Sequence, residues 1–435
     1  MPAVVPREQH VISRKNISKA ALRVLYRLHD AGYDAFLVGG AVRDLLLGGH
    51  PKDFDVATNA TPDEVKKLFR NCRLIGRRFR LAHVVFGPEI IEVATFRGTG
   101  EEDAPEGDRR IVDGLIVRDN VWGSIEEDAV RRDFRVNALY YDISDFSVRD
   151  YVGGMQDLDN RVLHLIGDPA TRYREDPVRM LRAARLAAKL GFTIDPKASA
   201  PFEELGPLLC DAAPARLFDE SLKMFLAGNG LKSFRMLEQC GLLKFLFPAT
   251  ARALKRGDAA LRSLIEQGLA NTDERIAEGK SVTPAFLFAV LLWGEVRDLA
   301  HASMARGADG GEAWARAAAH VVGEQCQRVA IPRRFTITME EIWSLQPRFE
   351  QIQRKRVFRL MAHPRFRAAF DFLLLRAAES PALRELGQWW AHAQQLPQEV
   401  LAAALPATGG ASTGTVVAAP RKRRRRKPSG KSGSA

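Results

Sequence analysis

Two different spacings of apolar residues divide the chain. In residues 17–30, Leu22, Leu25 and Leu28, with Ala21 and Val24 beside them, recur at helical spacing and predict an amphipathic helix. The apolar run 35–38 ends at Gly39-Gly40 and is followed by 41–47, a pattern of strand, tight turn and helix. Residues 52–57 alternate like a strand, and Thr61 opens a helix with Pro62 in its first position and Glu64 three residues after the cap. Two β-rich runs, 83–86 and 90–96, flank Gly87-Pro88-Glu89 and predict a hairpin. The charged, glycine-containing stretch 99–113 predicts a mobile loop; a helix over 131–140 and a strand over 148–151 complete a small mixed sheet with helices on one side. From Tyr173 onward the helical period takes over, as in 178–190, 215–226 and 234–246, with a flexible interruption at 307–311. The predicted class is α+β: a helical arm (1–34), a head built on the sheet (35–168), a helical neck (169–272), a helical body (273–400) and a tail (401–435).

Charge changes the picture mainly at the C-terminal end. The formal net charge is +12, of which +8 comes from Arg421, Lys422, Arg423, Arg424, Arg425, Arg426, Lys427 and Lys431. The last 35 residues contain no acidic residue and are rich in Ala, Gly, Ser and Pro, so they are expected to be disordered and to contact nucleic-acid phosphates. Cys72, Cys210, Cys240 and Cys326 form no CxxC pair, which argues against a zinc or dithiol site and fits a reducing cytoplasm. No apolar run of about 18 residues predicts a membrane span.

The chemistry starts at Asp53-Phe54-Asp55. On a strand, two carboxylates one residue apart project from the same face about 7 Å apart, while Phe54 and Val56 face the core and pin the register. Such oxygen donors suit Mg²⁺, and two ions roughly 4 Å apart activate an attacking hydroxyl and neutralise a leaving pyrophosphate. Glu92, on the strand 90–96, is the natural third carboxylate. Gly39 and Gly40, between strand and helix, offer backbone N–H groups to an anion, and Arg43 one turn on is placed to pair with a triphosphate. Alone, a DxD pair or a glycine turn is also compatible with plain surface structure; together they form a specific combination.

Gly39-Gly40-Ala41-Val42-Arg43-Asp44 with Asp53-Phe54-Asp55 resembles the class II members of the DNA polymerase β nucleotidyltransferase superfamily, the bacterial poly(A) polymerases and CCA-adding enzymes. Four further motifs follow in order, so that the resemblance covers roughly residues 36–226: Arg131-Arg132-Asp133-Phe134 with Asn137 is similar to the ribose-binding motif, Asp150-Tyr151-Val152-Gly153-Gly154 to the hinge, Glu175-Asp176-Pro177-Val178-Arg179 to the base-selecting motif, and 216–223 to the neck helix. The resemblance implies that the head is a nucleotidyltransferase palm, with Asp53, Asp55 and Asp133 catalytic and two Mg²⁺, or Mn²⁺, on Asp53, Asp55 and Glu92. It implies nucleotide binding by Gly39, Gly40, Arg43, Arg132, Asn137, Asp176, Arg179 and Arg182. Asp176 and Arg179, three apart, would share one helical face and read adenine or cytosine through an exocyclic amine and a ring nitrogen; guanine and uracil present the reversed pattern.

Because that edge accepts both A and C, poly(A) and CCA addition stay open at this point. Residues 68–84, with Arg77, Arg78, Phe79, Arg80 and His83, resemble the poly(A) polymerases. Their arginines form an expected electropositive lip beside the metal strand, for RNA or triphosphate. The expectation is template-independent transfer of adenylates from ATP to RNA 3′ ends, marking RNA for decay and involving RNA-decay proteins. The alternatives are a CCA-adding tRNA nucleotidyltransferase and a noncatalytic RNA-binding protein on the same scaffold.

Overall fold

The computed structural model of the protein describes residues 2–76, 80–98, 109–112, 115–119 and 121–406. The head is a mixed sheet whose strands are β1 (Ala3–Val5), β2 (Ala35–Val38), β3 (Asp55–Thr58), β4 (Cys72–Ile75), β5 (Leu81–Phe86) and β6 (Glu89–Thr95). After a separate hairpin of β7 (Arg109–Val112) and β8 (Leu115–Asp119), β9 (Leu139–Asp142) and β10 (Val148–Asp150) return to it. Among the described residues the order is β1-β10-β9-β2-β3-β6-β5-β4. Every neighbouring pair is antiparallel except β3 and β6, which run parallel at the centre.

Helices α1 (Lys19–Asp30), α2 (Gly40–Leu46) and α3 (Pro62–Leu68) follow from their own residues. The Ser18 hydroxyl accepts from the Ala21 N–H at 3.0 Å, and Ala21, Val24, Leu25 and Leu28 are buried on one face of α1. Thr61 and Glu64 form a reciprocal capping box, with Pro62 in the first turn of α3. Phe54 and Val56 join the core beneath the sheet, as their alternation predicts. The opposite face is also covered: Phe36, Val38, Ala57, Phe96 and Tyr140 pack with Ala129 of α4 (Ile125–Arg131).

Several expectations are corrected. The sheet has eight strands and helices on both faces, because Ala3–Val5 of the expected helical arm pairs with β10 and α4 covers the second face. The strand expected over 52–57 begins at Asp55, so Asp53 precedes it. The helix expected over 131–140 is replaced by the end of α4, a short 3₁₀ turn (Arg135–Asn137) and β9, where Tyr140 and Tyr141 are wholly buried. In 234–246, Gly241 at φ +67° breaks the helix into Gly230–Gln239 and Leu243–Leu246.

Beyond α5 (Gly154–Asn160), α6 (Pro169–Glu175) and α7 (Val178–Leu190), the described chain is helical apart from a two-strand pairing of Val162–Leu163 with Thr193–Ile194. Helix Pro284–Ala305 runs through the body with Phe288, Leu291 and Trp293 buried. No described helix is long and apolar enough to cross a membrane. Of the stretch 99–113, only 109–112 is described, as a strand. The expected tail begins inside helix Gln398–Ala404, and from 407 on, including Arg421 to Lys427, it lies outside the described residues, as do Arg77 and Arg78.

Candidate active site

The central parallel pair places Asp55 of β3 in register with Glu92 of β6, and Glu92 in register with His83 of β5. Side chains at matched positions of neighbouring strands share a face, so the two carboxylates meet on the side that α4 partly covers. Although water reaches Asp55, the surrounding protein strips enough solvent to push its pKa up to about 6; Glu92 adds to the rise, Arg132 opposes it and Asp53 adds again. His83 Nε2 holds Glu92 Oε2 at 3.4 Å. Among the described residues no three His, Cys, Asp or Glu side chains are gathered closely enough to hold an ion as they stand. The donor set still fits a hard divalent cation: carboxylates only, mutually repelling, with a charge excess that a cation relieves.

The glycine turn stands at the same end of the sheet, since Val38 pairs with Asp55. Gly39 has φ +73° and ψ −139°, a backbone state that L side chains rarely adopt, and a Cβ there would lie 3.8 Å from both Arg132 Nη1 and Asp55 Oδ2. Arg43 stands against Gly40, not Gly39: its Nη2 lies 3.4 Å from the position of a Gly40 Cβ. It is 3% exposed: Nε and Nη2 donate to Asp44 Oδ1 at 2.8 and 2.6 Å, and Nη1 donates to Asn137 Oδ1 at 2.5 Å. Where a grip on a triphosphate was expected, each of the three guanidinium nitrogens is engaged by Asp44 or Asn137, which makes Arg43 a buried clamp in this fold.

Asp133 is likewise inside the fold. Its Oδ1 accepts from the Phe134 N–H at 2.8 Å and Asn137 Nδ2 at 3.2 Å, and Arg182 Nη2 lies 2.6 Å from Oδ2. Burial pushes its pKa up, but Arg182, Asn137 and the Phe134 N–H outweigh that and hold it below the usual carboxylate range. Asp133 and Asn137 therefore meet, as expected, but across a 3₁₀ turn rather than along a helix, and the network Arg182–Asp133–Asn137–Arg43–Asp44 continues to Lys189 Nζ at 2.8 Å. It ties α2 and the 131–137 turn to α7.

Arg132 faces the Gly39 side of the glycine corner. Its Nε and Nη2 donate to Asp128 Oδ2 at 3.1 and 2.9 Å, and Nε also donates to the Tyr140 hydroxyl at 2.9 Å. Sequence reasoning missed Asp128 and Tyr140, although Asp128 is four residues before Arg132 and so one turn away. It also missed Arg172, whose Nη2 donates to the Arg131 and Arg132 carbonyls at 2.6 and 2.7 Å and fixes the turn that carries Arg132.

Asp176 and Arg179 straddle a break between α6 and α7 instead of sharing one helical face: Asp176 is extended at φ −152° and ends α6. Asp176 Oδ2 accepts from Arg216 Nη2 at 2.8 Å and Oδ1 from the Val178 N–H at 3.3 Å. Arg179 Nη1 donates to the Arg172 carbonyl at 2.8 Å and Glu175 Oε2 at 3.1 Å, leaving Nε and Nη2 without partners among the described residues. In the segment that resembles the hinge motif, Asp150 accepts from four successive backbone N–H groups, Val152 to Met155, at 2.9–3.1 Å. Gly154 is required there because a Cβ would meet the Arg135 carbonyl oxygen at 2.4 Å.

Arg80 lies apart from the carboxylates. It precedes β5 at the strand end level with Thr58, and it pairs with Asp63 of α3 at 3.1 and 3.2 Å. The lip expected beside the metal strand is thus not formed by Arg80.

Comparison with known proteins agrees with this geometry. Residues 35–164 match a family described as the poly A polymerase head domain, 191–254 a probable RNA- and SrmB-binding site of polymerase A, and 306–429 the polymerase A arginine-rich C-terminus. Poly(A) polymerase I of Salmonella typhi is 56% identical over 397 residues, 90% of this chain and 85% of that protein. The CCA-adding enzyme of Lactobacillus gasseri is 36% identical over 223 residues, 51% of this chain and 54% of that one. The crystal structure of the Bacillus stearothermophilus CCA-adding enzyme in complex with CTP superposes with a TM-score of 0.57 at 25% identity, covering 88% of this chain and 82% of that one. A head, an RNA-binding segment and an arginine-rich C-terminus in this order, with more than half of the residues shared along nearly the whole length, place the chain in the bacterial poly(A) polymerase I family.

Proposed function

We propose that the chain adds adenylates from ATP to RNA 3′ ends without a template, releasing pyrophosphate and marking the RNA for decay by cytoplasmic partner proteins. The observation that carries this reading is the in-register pair Asp55 and Glu92 beside the Gly39 corner. Asp53, Asp55 and Glu92 would hold Mg²⁺, as two ions, or Mn²⁺ in its place. A divalent cation there makes the attacking 3′-hydroxyl more acidic and neutralises phosphate charge.

The protein's own groups bind and orient. The Gly39 and Gly40 backbone accommodates the phosphates at the mouth of the turn, and Arg132 Nη1 faces them. The buried Arg43 and Asp133, with the half-buried Asn137 and the partly exposed Arg182, keep the ribose-facing turn and α7 in fixed relation. Asp176 accepts from the adenine N6 amine, and the unheld nitrogens of Arg179 donate to N1. The RNA 3′-oxygen attacks the α-phosphorus, the bond to the pyrophosphate oxygen breaks, and the hydroxyl proton passes to solvent. Arg77 and Arg78, with Arg421 to Lys427, attract RNA phosphates irrespective of sequence.

Purified protein with Mg²⁺ and each NTP separately, on a generic RNA and on a tRNA lacking its CCA end, tests the proposal. Long ladders from ATP alone on the generic RNA are expected. Addition limited to the tRNA end with CTP and ATP would instead establish CCA synthesis, and RNA binding with no extension would leave only a scaffold.

A further inference from the structure

We propose that Asp128 and Tyr140 are positioning residues that hold one edge of the Arg132 guanidinium, so that its free edge faces the nucleotide phosphates instead of collapsing onto Asp55. The inference rests on the functional reading above. Arg132 follows α4 as its C-cap, with φ −63° and ψ 172°, and its side chain turns back over the same helix. Nε and Nη2 are both engaged by Asp128 Oδ2, at 3.1 and 2.9 Å. The Tyr140 hydroxyl closes the arrangement: it accepts from Arg132 Nε at 2.9 Å and donates to Asp128 Oδ2 at 2.6 Å.

The holder is itself fixed. Tyr140 is wholly buried, and its ring packs edge-on against Phe36 and Tyr151 with centroids 6.1 and 5.8 Å apart. Asp128 is buried on α4, and its Oδ1 accepts from the Arg97 N–H at 3.3 Å. Arg132 Nη1 has no partner among the described residues. It flanks the Gly39 corner from one side while Asp55 Oδ2 flanks it from the other, each 3.8 Å from the position of a Gly39 Cβ.

Charge explains why holding matters. A guanidinium free to rotate next to an exposed carboxylate forms a bidentate pair with it. Such a pair would occupy the Asp55 oxygens that a cation needs and turn Nη1 away from the phosphates. Two bonds to Asp128 and one to Tyr140 fix the plane of the guanidinium, leaving one donor directed outward and Asp55 unpaired. The device thus serves both anion and cation at the same corner.

The test uses full-length Tyr140→Phe, which keeps the ring and removes only the hydroxyl, with Asp128→Asn as the second variant should the first fail to fold. Calorimetry with a non-hydrolysable ATP analogue and Mg²⁺ should show about tenfold weaker binding, the size of losing a hydrogen bond to a charged group. Mg²⁺ titrated alone should also bind several-fold more weakly, while RNA affinity stays as in the wild type. In an Arg132→Ala background the same substitution should cause no further loss. Wild-type affinity in Tyr140→Phe, or a loss that simply adds to that of Arg132→Ala, overturns the inference in favour of a packing role. A wild-type protein that binds no analogue overturns the functional reading itself, and this inference with it.

Discussion

The carboxylate end of the head and the α6–α7 junction treat their charged residues in opposite ways. Asp55 and Glu92 stand in register with Asp53 just before the strand, His83 lies beside Glu92, and Asp55 keeps a raised pKa although Arg132 opposes the rise. Asp176 and Arg179 are each held by protein on one side, Asp176 by Arg216 and Arg179 by Glu175 and the Arg172 carbonyl. Under the proposed function, the difference follows from what each region would take up. A site for a cation keeps an excess of negative charge that only the cation relieves; a site for a neutral base needs donors and acceptors fixed in direction before the base arrives.

The largest effect should come from the unpaired side. Asp55→Ala should lower turnover by about three orders of magnitude or more, the scale of removing a charge-stabilising group from a phosphoryl-transfer site. RNA affinity by filter binding should stay close to that of the wild type, and equal losses in both would point to misfolding. On the paired side, Arg179→Ala should relax base choice by roughly tenfold to a hundredfold, read as the ratio of ATP to GTP incorporation. Unchanged preference would remove Arg179 from base reading.

Arg216→Ala should loosen Asp176 without removing it, so base discrimination should fall by only about two- to fivefold, the worth of one partly exposed charge-assisted bond. A loss as large as that of Arg179→Ala would make Arg216 a direct contact and break the contrast. The smallest effect is thermal. Because the Asp55 pKa is raised to about 6 in the metal-free fold, the ionised carboxylate costs stability above about pH 6. That cost fades as pH falls toward the ordinary aspartate value, since the folded state there binds the proton more tightly than the unfolded chain. Metal-free Asp55→Asn should therefore melt a few degrees above the wild type near pH 7.5 and level with it near pH 4.5. Added Mg²⁺ should close the gap at the higher pH. Identical melting at both pH values would show that the carboxylates do not repel one another.

What the chain alone determined is local. Caps and short apolar periods announce α1, the β2–Gly39–α2 turn, α3 and the β5–β6 hairpin, because each depends on residues within a few positions of one another. That Asp55 and Glu92 lie on strands was legible for the same reason, whereas Asp53 precedes β3 and alternation does not place it. The sequence erred at 131–140, where burial of Tyr140 and Tyr141 in β9 overrides a helical pattern. Tertiary structure alone decided which arginines are offered to a substrate and which are spent inside. Arg43 and Arg132 look alike in sequence, but Arg43 meets Asn137, 94 residues away, and is sealed in, whereas Arg132 keeps one donor at the Gly39 corner. A guanidinium carries the same charge in either place. What differs is how many of its N–H groups find acceptors, and those acceptors come from strands and helices that only the folded chain brings together.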